Sequence, residues 1–184
     1  MEAYGGPDDR ASHARFGMTR RNQVMYGPPG HAYVYLVYGM HDCLNVVTGA
    51  DGVASAVLIR AVEPLLGHAS MRGDRWLHRM RSRRAATPAA FDARGRDGRT
   101  ADARLASGPG LVGAAFGLDT RWTGLDLCAP LSPLRLEWPS ADDSQVGEVV
   151  ATPRIGVEYA GGEWAAQPWR FAIADHPSLS RPAR

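Results

Sequence analysis

The chain contains no lysine, so its 21 permanently cationic side chains are all arginine. Imine chemistry on a side-chain amine is thereby excluded, because arginine stays protonated, and the amino group of Met1 is the only amine left to attempt it. Cysteine is nearly absent too. Cys43 and Cys128 stand far apart, which argues against a disulfide framework, and there is no signal-peptide pattern and no apolar run long enough to span a bilayer. The expectation is a reducing, cytoplasmic setting, and the arginine-, alanine- and glycine-rich usage hints at GC-rich bacterial coding. An excess of one sign of charge is also missing. At a net charge of +2, composition alone announces no polyanion partner.

The distribution of charge says more than its sum. Between Arg72 and Arg104 ten arginines stand against four aspartates, whereas residues 31–49 hold no basic side chain except histidine. Basic charge gathered in this way suits a phosphate-facing surface. The 184 residues are enough for one domain with its own core.

Residues 31–38 are mostly β-branched or aromatic, Gly39-Met40 supplies a tight reversal, and residues 42–48 run back as a second strand, together a β-hairpin. A further apolar run at 54–62, ended by Pro64, reads as a strand in the centre of a sheet. Residues 65–84 turn helical, with Leu66, Met71, Leu77 and Met80 as apolar points among arginines. Residues 85–100 lack periodicity and read as a mobile, arginine-rich loop. In 105–118, Ser107-Gly108-Pro109-Gly110 heads an apolar run, placing proline at a helix start. Short strands are expected near 134–137, 154–158 and 169–173. Several strands with few helices and no βαβ rhythm indicate an α+β fold.

The chemistry-bearing residues cluster early. Glu2-Ala3-Tyr4 is followed by His13, then by Tyr33, Tyr35 and Tyr38 in the hairpin, with Asn45 on its return strand. Asp8, Asp9 and Glu63 compete as carboxylates but read as turn or helix caps. A metal centre built on His13, His31, His41 and Cys43 lacks the second ligand pair that zinc spacing shows. Tyr38 stands at the hairpin tip beside Gly39 and Met40, on the strand face opposite Tyr33 and Tyr35 by the period of two. An exposed tip of this kind can wedge into a minor groove.

Together with Thr19, Arg21-Asn22, Leu58-Ile59-Arg60-Ala61-Val62-Glu63-Pro64, Ser107-Gly108-Pro109-Gly110, Thr152-Pro153-Arg154-Ile155-Gly156-Val157 and Pro168-Trp169-Arg170-Phe171, these motifs occur in the order of one family. The chain resembles the alkyladenine (3-methyladenine) DNA glycosylases of base-excision repair along nearly its whole length.

That resemblance implies a single α+β domain over residues 1–184, with a curved, mainly antiparallel sheet, flanking helices and a protruding hairpin. It implies a monofunctional enzyme that flips alkylated or deaminated purines (3-methyladenine, 7-methylguanine, hypoxanthine, ethenoadenine) out of duplex DNA and hydrolyses their glycosidic bond. The protein would work as a nucleoid-associated monomer with no metal and no cofactor. Glu2 would be the general base aiming water at C1′, with Arg60 near that water. Tyr4, His13, Tyr35 and Asn45 would form the base pocket, in which a cationic alkylated purine gains from the aromatic faces. Tyr38 and Met40 would intercalate from the minor groove, and Thr19, Arg21, Asn22, Gly108, Gly110 and Arg154 would meet the DNA backbone. Leu111 stands where the family commonly has a lysine, and His41 where an aromatic residue can occur. The family also carries a leading stretch before Glu2, so the chain is expected to start late. A non-catalytic damaged-DNA-binding protein is the alternative.

Overall fold

A computed structural model describes residues 1–81, 102–139 and 147–183. Its framework is a six-stranded sheet of β1 (Glu2–Gly5), β2 (Ala32–Val37), β3 (His41–Val47), β4 (Ser55–Leu58), β5 (Val149–Thr152) and β6 (Arg170–Ile173). Their spatial order is β2-β3-β4-β1-β6-β5, and every pairing is antiparallel. Three α-helices accompany it among the described residues: α1 (His68–Arg81), α2 (Pro109–Ala115) and α3 (Gly162–Ala166). The expected α+β architecture is therefore present.

The alternation of strand side chains splits the core in two. Ala32, Val34, Leu44 and Val46 point to one face and pack with Leu118 and Leu127. Tyr33, Val47 and Ala56 point to the other, against Ala14 and Met25 from the 3-10 turns His13–Phe16 and Gln23–Tyr26. Helix α2 lies close on β3, since a Cβ at Gly110 would come within 2.8 Å of the His41 ring and one at Gly113 would overlap the Asp42 carbonyl. Helix α1 flanks α2. Its basic side chains are partly committed: Arg72 pairs with Asp102, and Arg75 donates to the carbonyls of Arg104 (3.2 Å) and Leu105 (2.9 Å).

Two strand expectations are corrected. Residues 134–137 form no strand: Pro133 and Pro139 flank them, and Arg135, Leu136 and Glu137 are exposed. The strand expected at 154–158 lies instead at β5, just upstream, while Glu158–Ala160 closes into a 3-10 turn. The loop read at 85–100 falls outside the described residues, and the helix read over 65–84 begins at His68.

Candidate active site

The site is laid out along one row of the sheet. Tyr33 pairs with Asn45, Asn45 with Leu58, Leu58 with Glu2 and Glu2 with Arg170. Directly opposed residues share a face, so this register places Tyr33, Asn45 and Glu2 on one surface. Two positions along β2 and β1, Tyr35 and Tyr4 join the same face, as does Arg60 two residues beyond Leu58.

Glu2 is fully buried, with 0% of its surface exposed, and each of its oxygens is held. Oε2 accepts from the Tyr4 hydroxyl at 2.9 Å and from Arg60 Nη1 at 3.0 Å, and Oε1 accepts from the Ile155 backbone N–H at 2.8 Å. A carboxylate so placed points along a defined direction and pays its burial with charge-assisted bonds. Desolvation first, then the neighbouring Glu2, push the Tyr4 phenol up, so its hydroxyl remains a donor.

Beside it lies a cavity of about 50 Å³ lined by Tyr4, Ala11, His13, Met25, Tyr33, Tyr35, Asn45, Ala56 and Tyr159. The His13 ring stands edge-on to Tyr35 with centroids 4.5 Å apart, and its Nδ1 is 2.9 Å from the Tyr33 hydroxyl. Burial lowers the His13 pKa from 6.5 to about 4, helped by the charges of Arg21 and Arg15, although the residue's outer edge is solvent-exposed. Tyr33 is pushed up to about 12 by desolvation. In the tautomer in which the Tyr33 hydroxyl donates to Nδ1, the neutral His13 ring carries its proton on Nε2. Asn45 is 4% exposed and donates Nδ2 to the Tyr33 carbonyl at 3.0 Å, so its carbonyl oxygen is turned elsewhere.

Tyr38 stands apart. It occupies the three-residue turn Tyr38-Gly39-Met40 rather than the strand, 85% exposed and at φ 53, a left-handed conformation unusual for a bulky side chain. Met40 is half-buried and donates its N–H to the Val37 carbonyl.

Over this geometry, residues 1–177 match the family model described as methylpurine-DNA glycosylase (MPG). The chain belongs to the methylpurine-DNA glycosylase family. A protein of Arabidopsis thaliana named DNA-3-methyladenine glycosylase is 40% identical over 182 residues, covering 99% of this chain and 61% of its own length. Proteins of Methanocella arvoryzae and Nitrosococcus oceani, named provisionally as 3-methyladenine DNA glycosylases, are 43% and 41% identical, over 99% and 98% of this chain and 78% and 76% of their own lengths. DNA is accordingly the partner, and the reaction class is hydrolysis of an N-glycosyl bond.

Among the residues expected at the DNA backbone, Thr19 and Arg21 are exposed. Three others lie buried. Arg154 is wholly buried, its side chain 0% exposed, with Nη1 and Nη2 bonded to the Asp9 carboxylate at 2.6 and 2.9 Å and to the carbonyls of Ala3 and Trp164. A guanidinium packed in this way has no face left for a phosphate. Asn22 is 2% exposed and spends its amide on Thr19, His13 and Gly17, shaping the turn that carries His13. Gly108 is likewise buried, its φ of 129 opening helix α2, while Gly110 remains half-buried at the helix head.

Sequence reasoning missed three contributors. The Ile155 N–H needed the fold to reach Glu2, and Asp9, read as a turn cap, does cap Ala11 at 2.9 Å but also neutralises Arg154. Tyr159 enters the cavity wall from the C-terminal half, with its hydroxyl on the Ala11 carbonyl at 3.0 Å. The Tyr159 signal was one more aromatic just beyond a matched motif.

Proposed function

We propose that this chain is a monofunctional DNA glycosylase that hydrolyses the N-glycosidic bond of alkylated or deaminated purines flipped out of duplex DNA. The single observation that carries the reading is the fully buried Glu2 carboxylate, held by Arg60, Tyr4 and Ile155 beside an aromatic cavity.

In this reading the nucleotide swings out of the stack while Tyr38, and beside it Met40, prop the gap from the minor groove. The base enters between Tyr4, Tyr35 and His13. The ring edges now close that space to about 50 Å³, so His13 must give way on entry. As the C1′–N bond lengthens, its electron pair leaves with the purine and positive charge develops at the sugar. Glu2 steadies that charge and takes a proton from the water that attacks C1′, leaving an abasic sugar and the free base. His13 Nε2–H supplies a donor to a purine acceptor atom, which matters most for uncharged leaving bases. Asn45 crowds the exocyclic amino group of guanine, keeping the normal base out. Thr19 and Arg21, with Gly110 at the head of α2, meet the phosphates. No lysine is available for an imine, and the one remaining amine, that of Met1, donates to the Phe171 carbonyl at 2.8 Å, so the reading has the strand left intact.

The test is base release from duplex oligonucleotides carrying hypoxanthine, ethenoadenine or 3-methyladenine, scored with and without alkali. Release with breaks only after alkali is expected. Salt-sensitive binding of the same duplexes with no release of any base would overturn the reading in favour of a damage-binding module.

A further inference from the structure

Two large apolar side chains stand in the open near the pocket without joining either core. Phe16 is 80% exposed and Met18 62%. Neither sits on a loose end. The 3-10 turn His13–Phe16 is capped by the Ser12 side chain, which accepts from the Ala14 N–H at 3.1 Å, and Ala14 is wholly buried. Asn22 donates to the carbonyls of His13 at 2.9 Å and Gly17 at 3.0 Å, and Gly17 turns the chain at a φ of 82. The Phe16 ring is therefore held out in water on a fixed support, forgoing the burial that a core would give it.

Its neighbours are those of a nucleic-acid contact. The Arg15 guanidinium lies 4.6 Å from the Phe16 ring centroid and 4.8 Å from that of Tyr159, and its Nη1 donates to the Arg10 carbonyl at 2.6 Å. One guanidinium thus links Phe16 to a ring that lines the pocket. Side chains three apart in a 3-10 turn align, so Phe16 stands over the same edge of the turn as His13. Residues 10–41 hold four arginines and no acidic side chain, and Arg20 and Arg21 are exposed, so phosphates meet only attraction along this segment. Arg21 also donates to the Leu36 carbonyl at 3.0 Å, tying the segment to the arm that ends in Tyr38. We propose that Phe16 is a stacking site for the base that neighbours the damaged one on the same strand, so that the protein reads the lesion's flank as well as the lesion. This rests on the glycosylase reading above and adds a contact outside its pocket. Extrusion leaves each neighbouring base with a bare face, and the sugar–phosphate chain entering the pocket draws one neighbour to the rim. Stacking on an aromatic ring suits any base, and Arg15 adds its charge beside the ring.

The test is a cycle of dissociation constants, measured in a Glu2→Gln background so that no base is lost. Duplexes carry ethenoadenine flanked by thymine or by 5,6-dihydrothymine, placed on the 5′ or the 3′ side in turn; the saturated, puckered ring of the second still pairs but stacks poorly. Phe16→Ala should weaken binding roughly tenfold with thymine flanks and by no more than about twofold when dihydrothymine occupies the contacted side. Phe16→Leu, apolar but not aromatic, should behave as Phe16→Ala does, and Phe16→Tyr should keep the unsubstituted constant. Melting temperatures should stay unchanged in all three, since the side chain is 80% exposed. Binding that Phe16→Ala leaves unaltered, a loss of the same size whichever base flanks the lesion, or full binding by Phe16→Leu overturns the proposal. If the protein with Glu2 intact releases no ethenoadenine, the glycosylase reading falls, and the binding cycle still decides whether Phe16 meets the flanking base.

Discussion

The base and the tip of the β2–β3 hairpin obey different rules. At the base, Tyr33 and Asn45 sit in a register row with Glu2, all at most 4% exposed, and their polar atoms are tied to His13, to backbone carbonyls, to Tyr4 and to Arg60. At the tip, Tyr38 is 85% exposed on a left-handed turn. The difference separates two demands. Bond cleavage needs groups fixed by their neighbours before substrate arrives, whereas probing a duplex needs reach and an unsatisfied apolar face. In the proposed reading the first rests on buried, paired charge and the second on an exposed tip under local backbone strain.

Breaking the rigid end should show the largest effect. Asp9→Ala strands the buried Arg154 guanidinium and is expected to destabilise the fold by about 3–5 kcal/mol, read from denaturant melts. A loss below about 1 kcal/mol would mean that water reaches Arg154 and that the pair frames nothing. Next comes Tyr4→Phe, which keeps the ring but removes the hydroxyl from Glu2. Release should slow by roughly tenfold, the scale of one hydrogen bond to a charged group, with little change in melting. An unchanged rate would show that Arg60 and Ile155 suffice to aim the carboxylate.

The exposed end should respond in the opposite sense. Tyr38→Gly relieves the left-handed strain and is expected to stabilise the protein by about 1 kcal/mol, while weakening binding to lesion duplexes by roughly tenfold through the lost stack. Lower stability together with unaltered binding would put Tyr38 among packing residues. The smallest effect concerns pH. Because the folded His13 pKa lies near 4 against 6.5, the unfolded chain takes up its proton first. The His13 contribution to stability is therefore complete above pH 6.5 and is lost as pH falls toward 4. Melting temperatures over that window should fall more steeply for wild type than for His13→Asn, and parallel curves would refute the shift.

Local patterns in the sequence were enough for some of this and not for the rest. The β2–β3 hairpin, the strand after the turn at Gly52 and the strand at Arg170 were legible because alternation, glycine turns and β-branched runs are local signals. The motif order brought Glu2, Tyr4, His13, Tyr35, Asn45 and Arg60 to notice, and the structure gathers them on one face of the sheet. Arg154 was misread because an arginine's partner cannot be seen from its own neighbourhood: Asp9 lies 145 residues away. Strand β5 was misplaced by a few residues since Pro153-Arg154-Ile155 looks as extended as the strand it follows. Arginines on tyrosine faces were equally illegible, being contacts between elements that only the folded sheet brings together.

The central claim is that the buried Glu2 carboxylate performs the chemistry while the rest of the surface reads the DNA, and separating release from binding tests it most directly. Glu2→Gln, nearly the same in shape, should cut the release of hypoxanthine from duplex DNA by roughly 100-fold or more, the scale of a lost general base, and keep lesion binding within a few-fold of wild type. Release that survives the substitution at near wild-type rate would contradict the account and move the catalytic role away from Glu2.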